Sequence, residues 1–271
     1  MARLDAELVR RGLARSRGEA RDLVADGLVR VGGAPARKAA QPVEQETPLD
    51  VDPAAQRWVG RAAHKLLAAL DTWGPQGLVV AGCRCIDVGA STGGFTQVLL
   101  SRGAGEVVAV DVGHGQLVAE LAEDPRVVEH SGTSVRGLDA TDVGGPAAVV
   151  VTDLSFISLT LVATELAGLL APGGDLLALV KPQFEVGRAR LGRGGLVTAA
   201  TDREDAVLSV CEGFRTAGLH VRALARSPIA GSTGNAEYLL WARSDPSDTM
   251  TRDEIRAAAR ALTDDPAGGR R

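Results

Sequence analysis

Residues 86–96 read Ile86-Asp87-Val88-Gly89-Ala90-Ser91-Thr92-Gly93-Gly94-Phe95-Thr96. A short apolar run ends in an acid, breaks into a glycine-rich turn and restarts as an apolar helical pattern to Arg102, the text of a buried strand turning into its helix. Outward from it the same alternation repeats. Strands are expected at Cys85 to Val88, Glu106 to Val110, Val127 to His130, Ala147 to Thr152 and Asp175 to Val180, with helices from Gly94, Gln116 and Leu159 (to Leu170) between them. A helix around Arg203 to Ala217 and strands at His220 to Arg226 and Glu237 to Ala242 follow, the last two expected to pair antiparallel. Repeated strand–helix units require a mostly parallel sheet covered on both faces, so the fold class is α/β.

The turn also limits the chemistry. A phosphate-binding P-loop needs Gly-Lys followed by Ser or Thr, but Phe95 follows Gly93-Gly94. The dinucleotide fingerprint would place Gly where Ser91 stands, and a side chain there obstructs close approach to a pyrophosphate. A nicotinamide enzyme is therefore the competing reading. Asp87 before the turn and Asp111 at the end of the second strand suit a cationic ligand with a free ribose: Asp111 can accept from both hydroxyls, while Asp87 faces the amino-acid part. S-adenosylmethionine has those features. The candidate cofactor-binding set is Asp87, Gly89, Ala90, Ser91, Thr92, Gly93, Gly94, Phe95, Asp111 and Asp153.

The chain has 271 residues, 45% of them hydrophobic and 24% charged, which excludes a disordered chain, a coiled coil and a collagen-like fibre and suits two domains. Three cysteines without a C-x-x-C pair argue against a disulfide framework and a structural zinc site, so no metal is expected. The acids of the N-terminus and the break at Pro172-Gly173-Gly174-Asp175 in the greasiest stretch predict neither a signal peptide nor a membrane span; the expected location is cytoplasmic.

Charge is segregated. The net formal charge is -4, yet residues 1–38 carry nine basic residues against five acids. There the periodicity predicts a helix from Arg3 to Arg11 stopped by Gly12, a second capped by Ser16 with Glu19 completing a capping box, and a short strand from Leu28 to Val31. Arg3, Arg10, Arg11, Arg15, Arg17 and Arg21 are the candidate phosphate contacts. The order R-L-D-x-x-L-V-R-R-G-L-A-R-S-R-x-x-A-R-x-L-V-x-x-G-x-V-x-V-x-G from Arg3 resembles the S4 RNA-binding domain, which implies docking on structured RNA.

D-V-G-A-S-T-G-G-F-T-Q at residues 87–97 resembles motif I of the FtsJ-like class I methyltransferases. With the N-terminal module, and with R-x-x-H-K-L at Arg61 to Leu66, T-D-L-S-F-I-S at Thr152 to Ser158, V-K-P-Q-F-E at Val180 to Glu185 and S-P-I-x-G-x-x-G-N-x-E-Y-L-L at Ser227 to Leu240, the chain resembles the TlyA, or hemolysin A, family. The resemblance implies a Rossmann-like class I sheet with a small S4-type α+β domain, and S-adenosylmethionine-dependent 2'-O-methylation of a ribose, on cytidine, in ribosomal RNA. It also implies a catalytic Lys-Asp-Lys-Glu tetrad of Lys65, Asp153, Lys181 and Glu237; Lys181 is the candidate base, with Asp153 orienting it and Glu237 holding Lys65, and the opposite assignment of the two lysines is the alternative. Ribosomal RNA or its subunits are the implied partner. Where the family shows Thr-Asn-Val-Arg, Ser134 stands in Thr133-Ser134-Val135-Arg136. The expected domains are 1–56 (S4-like, with linker), 57–244 (methyltransferase) and 245–271 (a polar tail with a short helix from Arg252 to Leu262). A non-catalytic RNA-binding protein with a relic fold and a membrane-active hemolysin are the competing readings.

Overall fold

The computed structural model describes residues 1–52 and 58–264, in two compact units, Met1–Arg61 and Ala62–Arg271. The boundary expected at residue 56 and the Gly-Arg-rich end lie outside the described residues.

In the first unit, β1 (Ala2–Arg3) leads into α1 (Leu4–Arg10); α2 (Arg17–Ala25), β2 (Val29–Val31), β3 (Ala34–Pro35), β4 (Pro42–Val43) and β5 (Leu49–Val51) follow. Strands β3-β2-β5 form one antiparallel sheet and β1 pairs with β4. Leu4 and Leu8 of α1 share a face and pack with Ala20, Leu23 and Val24 of α2 over Val29, Val43 and Leu49. Gly12, at φ 68°, ends the first helical segment in the left-handed region that glycine enters without strain. Ser16 Oγ accepts from Glu19 N–H at 3.1 Å, as its sequence predicts; the Glu19 carboxylate turns back one residue further than a capping box requires and accepts from Arg15 N–H.

The second unit begins with α3 (Ala63–Trp73). It continues with β6 (Arg84–Val88), α4 (Gly94–Ser101), β7 (Glu106–Asp111), α5 (Ala119–Ala122), β8 (Val127–Ser131), β9 (Ala147–Thr152), α6 (Ala163–Gly168) and β10 (Leu170–Val180). The last elements are α7 (Pro182–Glu185), α8 (Ala200–Thr216), β11 (His220–Arg226), β12 (Tyr238–Arg243) and α9 (Arg252–Asp264). One sheet runs β11-β12-β10-β9-β6-β7-β8; β12 is antiparallel to both of its neighbours and the other pairings are parallel. The chain moves outward from β6 to β7 and β8, then returns to the other side of β6 at β9. This reversal opens a crevice above the carboxyl ends of β6 and β9, where such sheets bind ligands.

Strand alternation sets both faces. Leu176, Ala178 and Val180 of β10 pack with Val207, Val210 and Phe214 of α8, while Leu177 and Leu179 meet Leu66, Ala69 and Trp73 of α3 and Phe95 of α4. Two helices expected from the sequence are shorter than their apolar runs. Gln116 precedes a loop and only Ala119–Ala122 is helical; the stretch from Leu159 divides into a 3-10 turn (Leu159–Leu161) and α6, and Leu170 already belongs to β10. An apolar run of that length suits a buried strand as well as a helix. Gly174 lets β10 pass: a Cβ there would lie 2.9 Å from the Ala171 carbonyl and 3.1 Å from that of Ala148.

Burial pushes the thiols of Cys85 and Cys211 up to about 12, whereas Cys83 is only half-buried. Iodoacetamide at pH 8 is expected to label Cys83 in the native protein and to spare the other two, as read by peptide mass; equal labelling of Cys85 would contradict the buried position of β6.

Candidate active site

The glycine-rich turn closes over the crevice as its sequence requires. Ser91 adopts φ 49°, strained for a residue with a side chain, and is held there from two directions. Its N–H donates to Asp111 Oδ2 at 2.8 Å and its hydroxyl meets Gln116 Oε1 at 3.2 Å; Asp111 Oδ1 accepts from Gly113 N–H at 2.7 Å. Asp111 thus organises two loops and retains lone pairs for further donors. Glycine is required at two neighbouring points. A Cβ at Gly89 would crowd Leu154 and the Asp153 carbonyl at 3.2 and 3.3 Å, and one at Gly93 would strike Leu121 at 2.3 Å.

A cavity of about 440 Å³ lies beside this turn. Its wall includes Gly89, Ser91, Asp111, Thr133, Asp153 and Ser155, with an apolar slot from Val88, Val110, Val112, Val135 and Leu154. Of the cofactor-binding residues expected from sequence, Gly89, Ser91, Asp111 and Asp153 stand on this wall. Phe95 does not: it is a core residue between α3 and β10. Ala90 is buried, and Gly93 and Gly94 serve as the turn and first residue of α4. Thr92 is exposed, and its carbonyl accepts from Val118 N–H. Asp87 is also displaced from its expected role facing the ligand. Alternation turns it to the α4 side of β6, where it is fully buried and Oδ2 accepts from the Thr96 hydroxyl at 2.7 Å. Its Oδ1 has no hydrogen-bond partner, and burial raises its carboxyl to about 7 against the opposing Thr96 bond. Ser134 caps its own turn, its hydroxyl accepting from Arg136 N–H at 3.1 Å. Gln116 was not legible as a site residue, because only the folded loop brings it to Ser91.

Four charged side chains from separated segments meet at one edge of this crevice. Lys65 of α3, Lys181 at the end of β10 and Glu237 just before β12 are buried, and the Asp153 side chain beyond β9 is 12% exposed. Lys181 Nζ lies 2.6 Å from Asp153 Oδ1, and Lys65 Nζ lies 3.3 Å from Asp153 Oδ2 and 2.7 Å from Glu237 Oε2. Burial drives the Asp153 carboxyl upward, but the two ammonium groups outweigh it and hold it below the usual carboxylate range. Two cations with two anions make the burial tolerable, where any one alone would be costly. Gly231 makes room: a Cβ there would come within 2.5 Å of Glu237 Oε1. Lys181 is extended, as a residue before proline must be, and Pro182 then starts α7 instead of prolonging the extended chain.

In the first unit the arginines divide into two sets. Asp5 is fully buried and accepts from Arg3 (2.8 Å) and Arg17 (3.2 Å), with Arg21 at 3.7 Å; bonding to Arg3 and then Arg17 holds its carboxyl well below the usual range. All three guanidinium groups are half or more exposed. Arg10 and Arg11 pair instead with Glu7, and Arg11 also donates to the carbonyls of Glu44, Gln45 and Thr47, so it staples a loop and does not project to a partner as the sequence suggested. Arg15 is exposed.

The sheet, the turn and the placement of the cavity are those of a class I methyltransferase joined to a small α+β module. Residues 58–244 match the FtsJ-like methyltransferase family and residues 2–47 the S4 domain. A Mycobacterium tuberculosis protein named 16S/23S rRNA (cytidine-2'-O)-methyltransferase TlyA is 47% identical, covering 98% of both chains. Hemolysin A of Brachyspira hyodysenteriae is 35% identical over 88% of this chain and 98% of its own. A solved Streptococcus thermophilus structure, described as a hemolysin, is 35% identical with a TM-score of 0.77, covering 97% of this chain and 95% of that one. This chain belongs to the TlyA family of S4-bearing FtsJ-like methyltransferases. Its methyl donor is S-adenosylmethionine, and the site fits that group: Asp111 offers a carboxylate at a strand end, the valine-lined slot suits a flat base, and Gly89 leaves the approach to Asp153 open. Among the described residues no helix is long and apolar enough to cross a membrane.

Asp87 gives the site a pH signature. Its folded-state carboxyl titrates near 7, above the ordinary 3.8, so between those values the folded protein binds more protons than the unfolded chain and stability falls as pH rises. Without donor, the melting temperature of Asp87→Asn minus that of the parent is expected to climb from about pH 4 to about pH 7 and then level off. A pH-independent difference would contradict the raised carboxyl.

Proposed function

We propose that this enzyme methylates the 2'-hydroxyl of a ribose, on cytidine, in ribosomal RNA, with Lys181 as the general base. The observation that carries the reading is Asp153, one buried carboxylate gripped by Lys181 at 2.6 Å and by Lys65 at 3.3 Å on the wall of the cavity beside Gly89 and Asp111. The relative named for cytidine-2'-O-methylation of ribosomal RNA, matched over nearly its full length, supports the same substrate. A cytoplasmic location agrees with such a substrate.

S-adenosylmethionine, when bound, supplies an electrophilic methyl group. The remaining tasks, holding the ribose oxygen and taking its proton, fall to side chains of this chain. Lys65 faces two carboxylates, and the cluster needs it as a standing cation. Lys181 faces one carboxylate, shared with Lys65, and a neutral hydroxyl, Ser155. In its neutral form this amine accepts the 2'-hydroxyl proton, and Asp153 pairs with the ammonium so formed. Glu237 acts through Lys65. The Asp5 cluster supplies the RNA contact: one buried carboxylate fixes three partly exposed guanidinium groups and leaves an excess of positive charge for phosphates.

Purified protein with methyl-labelled donor is expected to label ribosomal subunits or their RNA, with the label recovered as a 2'-O-methylated nucleoside. Lys181→Ala should reduce transfer by at least a factor of about 10³ while the donor Kd stays within about threefold. Label on a base, or full activity in Lys181→Ala, would refute the assignment. Arg17→Ala should weaken RNA binding and lower the log Kd against log salt slope by about one, whereas Arg11→Ala should mainly lower the melting temperature of its loop-stapled unit. An unchanged slope for Arg17→Ala would remove that arginine from the RNA contact.

A further inference from the structure

A lysine amine has three positions around nitrogen besides its own carbon, and it rotates about the Cε–Nζ bond among staggered wells. A single acceptor fixes one of the three positions incompletely. A lone pair meant to accept a proton is then scattered between the other two. At Lys181 two oxygens stand in contact: Asp153 Oδ1 at 2.6 Å and Ser155 Oγ, which accepts from Nζ at 2.9 Å.

We propose that Ser155 is a positioning residue for methyl transfer: with Asp153 it occupies the two N–H groups of the neutral Lys181 amine, leaving the lone pair as the remaining position, reserved for the ribose hydroxyl. This rests on Lys181 being the base. Packing does not require the hydroxyl, because Ser155 is exposed and water would satisfy it as well. Its position is nevertheless constrained from both sides. Asp153 and Ser155 both line the donor cavity, so the serine links the amine to that cavity's wall. The next residue, Phe156, has φ 64°, a conformation unusual for a residue with a side chain, and its ring meets Phe184 at 5.2 Å between centroids.

A brace holds this loop in place. Glu185, four residues after Lys181, accepts from the Ser158 hydroxyl and from Leu159 N–H at 2.9 Å, and burial raises its carboxyl against those two bonds. The single turn of α7 therefore grips the loop at both ends, Lys181 holding Asp153 and Ser155 while Glu185 holds Ser158 and Leu159. The centroid of the Phe184 ring lies 5.9 Å from Lys181 Nζ.

The test compares Ser155→Ala, Ser155→Thr and Lys181→Ala in the full chain, using ribosomal subunits and labelled donor. Ser155→Ala is expected to lower kcat by roughly ten- to a hundredfold, with the RNA KM and donor Kd within about threefold and the melting temperature unchanged; Ser155→Thr, which keeps the hydroxyl, should recover most of the loss. Without donor or RNA, the Lys181 Nζ hydrogens of ¹⁵N-labelled Ser155→Ala protein should exchange faster with water than in the parent. Parental kcat in Ser155→Ala, a kcat loss matched by a weakened donor Kd, or equal losses in the Ala and Thr variants would each overturn the role of the hydroxyl. The underlying reading fails separately: activity surviving in Lys181→Ala removes the base, whereas an inactive Lys181→Ala beside a fully active Ser155→Ala removes only the inference about Ser155.

Discussion

The site depends on a single carboxylate kept charged while nearly sealed from water. Asp153 would be driven toward its neutral form by burial, and it is the ammonium groups of Lys65 and Lys181 that hold it ionised. The dependence is mutual. Each lysine is buried and needs an anion, and Glu237 brings the local charge to zero. The sheet exists, in this sense, to deliver four side chains from α3, β9, β10 and the start of β12 to one point, since no local segment could bring them together. With both lysines protonated the four charges balance, so a proton taken up by a neutral Lys181 restores that balance.

The donor side has a comparable economy. Asp111 orders the glycine turn through Ser91 N–H and the following loop through Gly113 N–H. The strained φ of Ser91 is maintained by these bonds and by its contact with Gln116. The serine that excludes a close pyrophosphate is thus the residue that ties the turn to the second strand. Asp87 serves the same turn from below, buried against Thr96 at the start of α4.

The legible part of this protein is what strand periodicity and strand ends determine. The βα order, the antiparallel last pair and the ligand turn follow from apolar runs and their ends, and the family motifs pick out the four charged residues that meet at the crevice. Side-chain direction at Asp87 was not legible, because a strand-end acid can point to either face until the neighbouring helix is placed. The fates of Arg10 and Arg11 were likewise hidden: Glu7 lies within one helical turn of both, but the carbonyls at 44, 45 and 47 that hold Arg11 come from a distant loop. Ser155, Gln116 and Glu185 belong to the same category. Ser155 and Glu185 stand within family motifs, but the contacts that each of the three makes are set by the folded paths of the surrounding segments, which spacing does not reveal.

The central claim is that Lys181 and Asp153 act as one unit in removing the ribose proton. A double-mutant cycle of Lys181→Ala and Asp153→Ala on kcat for methyl transfer tests it most directly. The account predicts that the double variant is no slower than the slower single variant, because once the base is gone its orienting carboxylate has nothing left to act on. Losses that multiply, each residue contributing independently of the other, would contradict it.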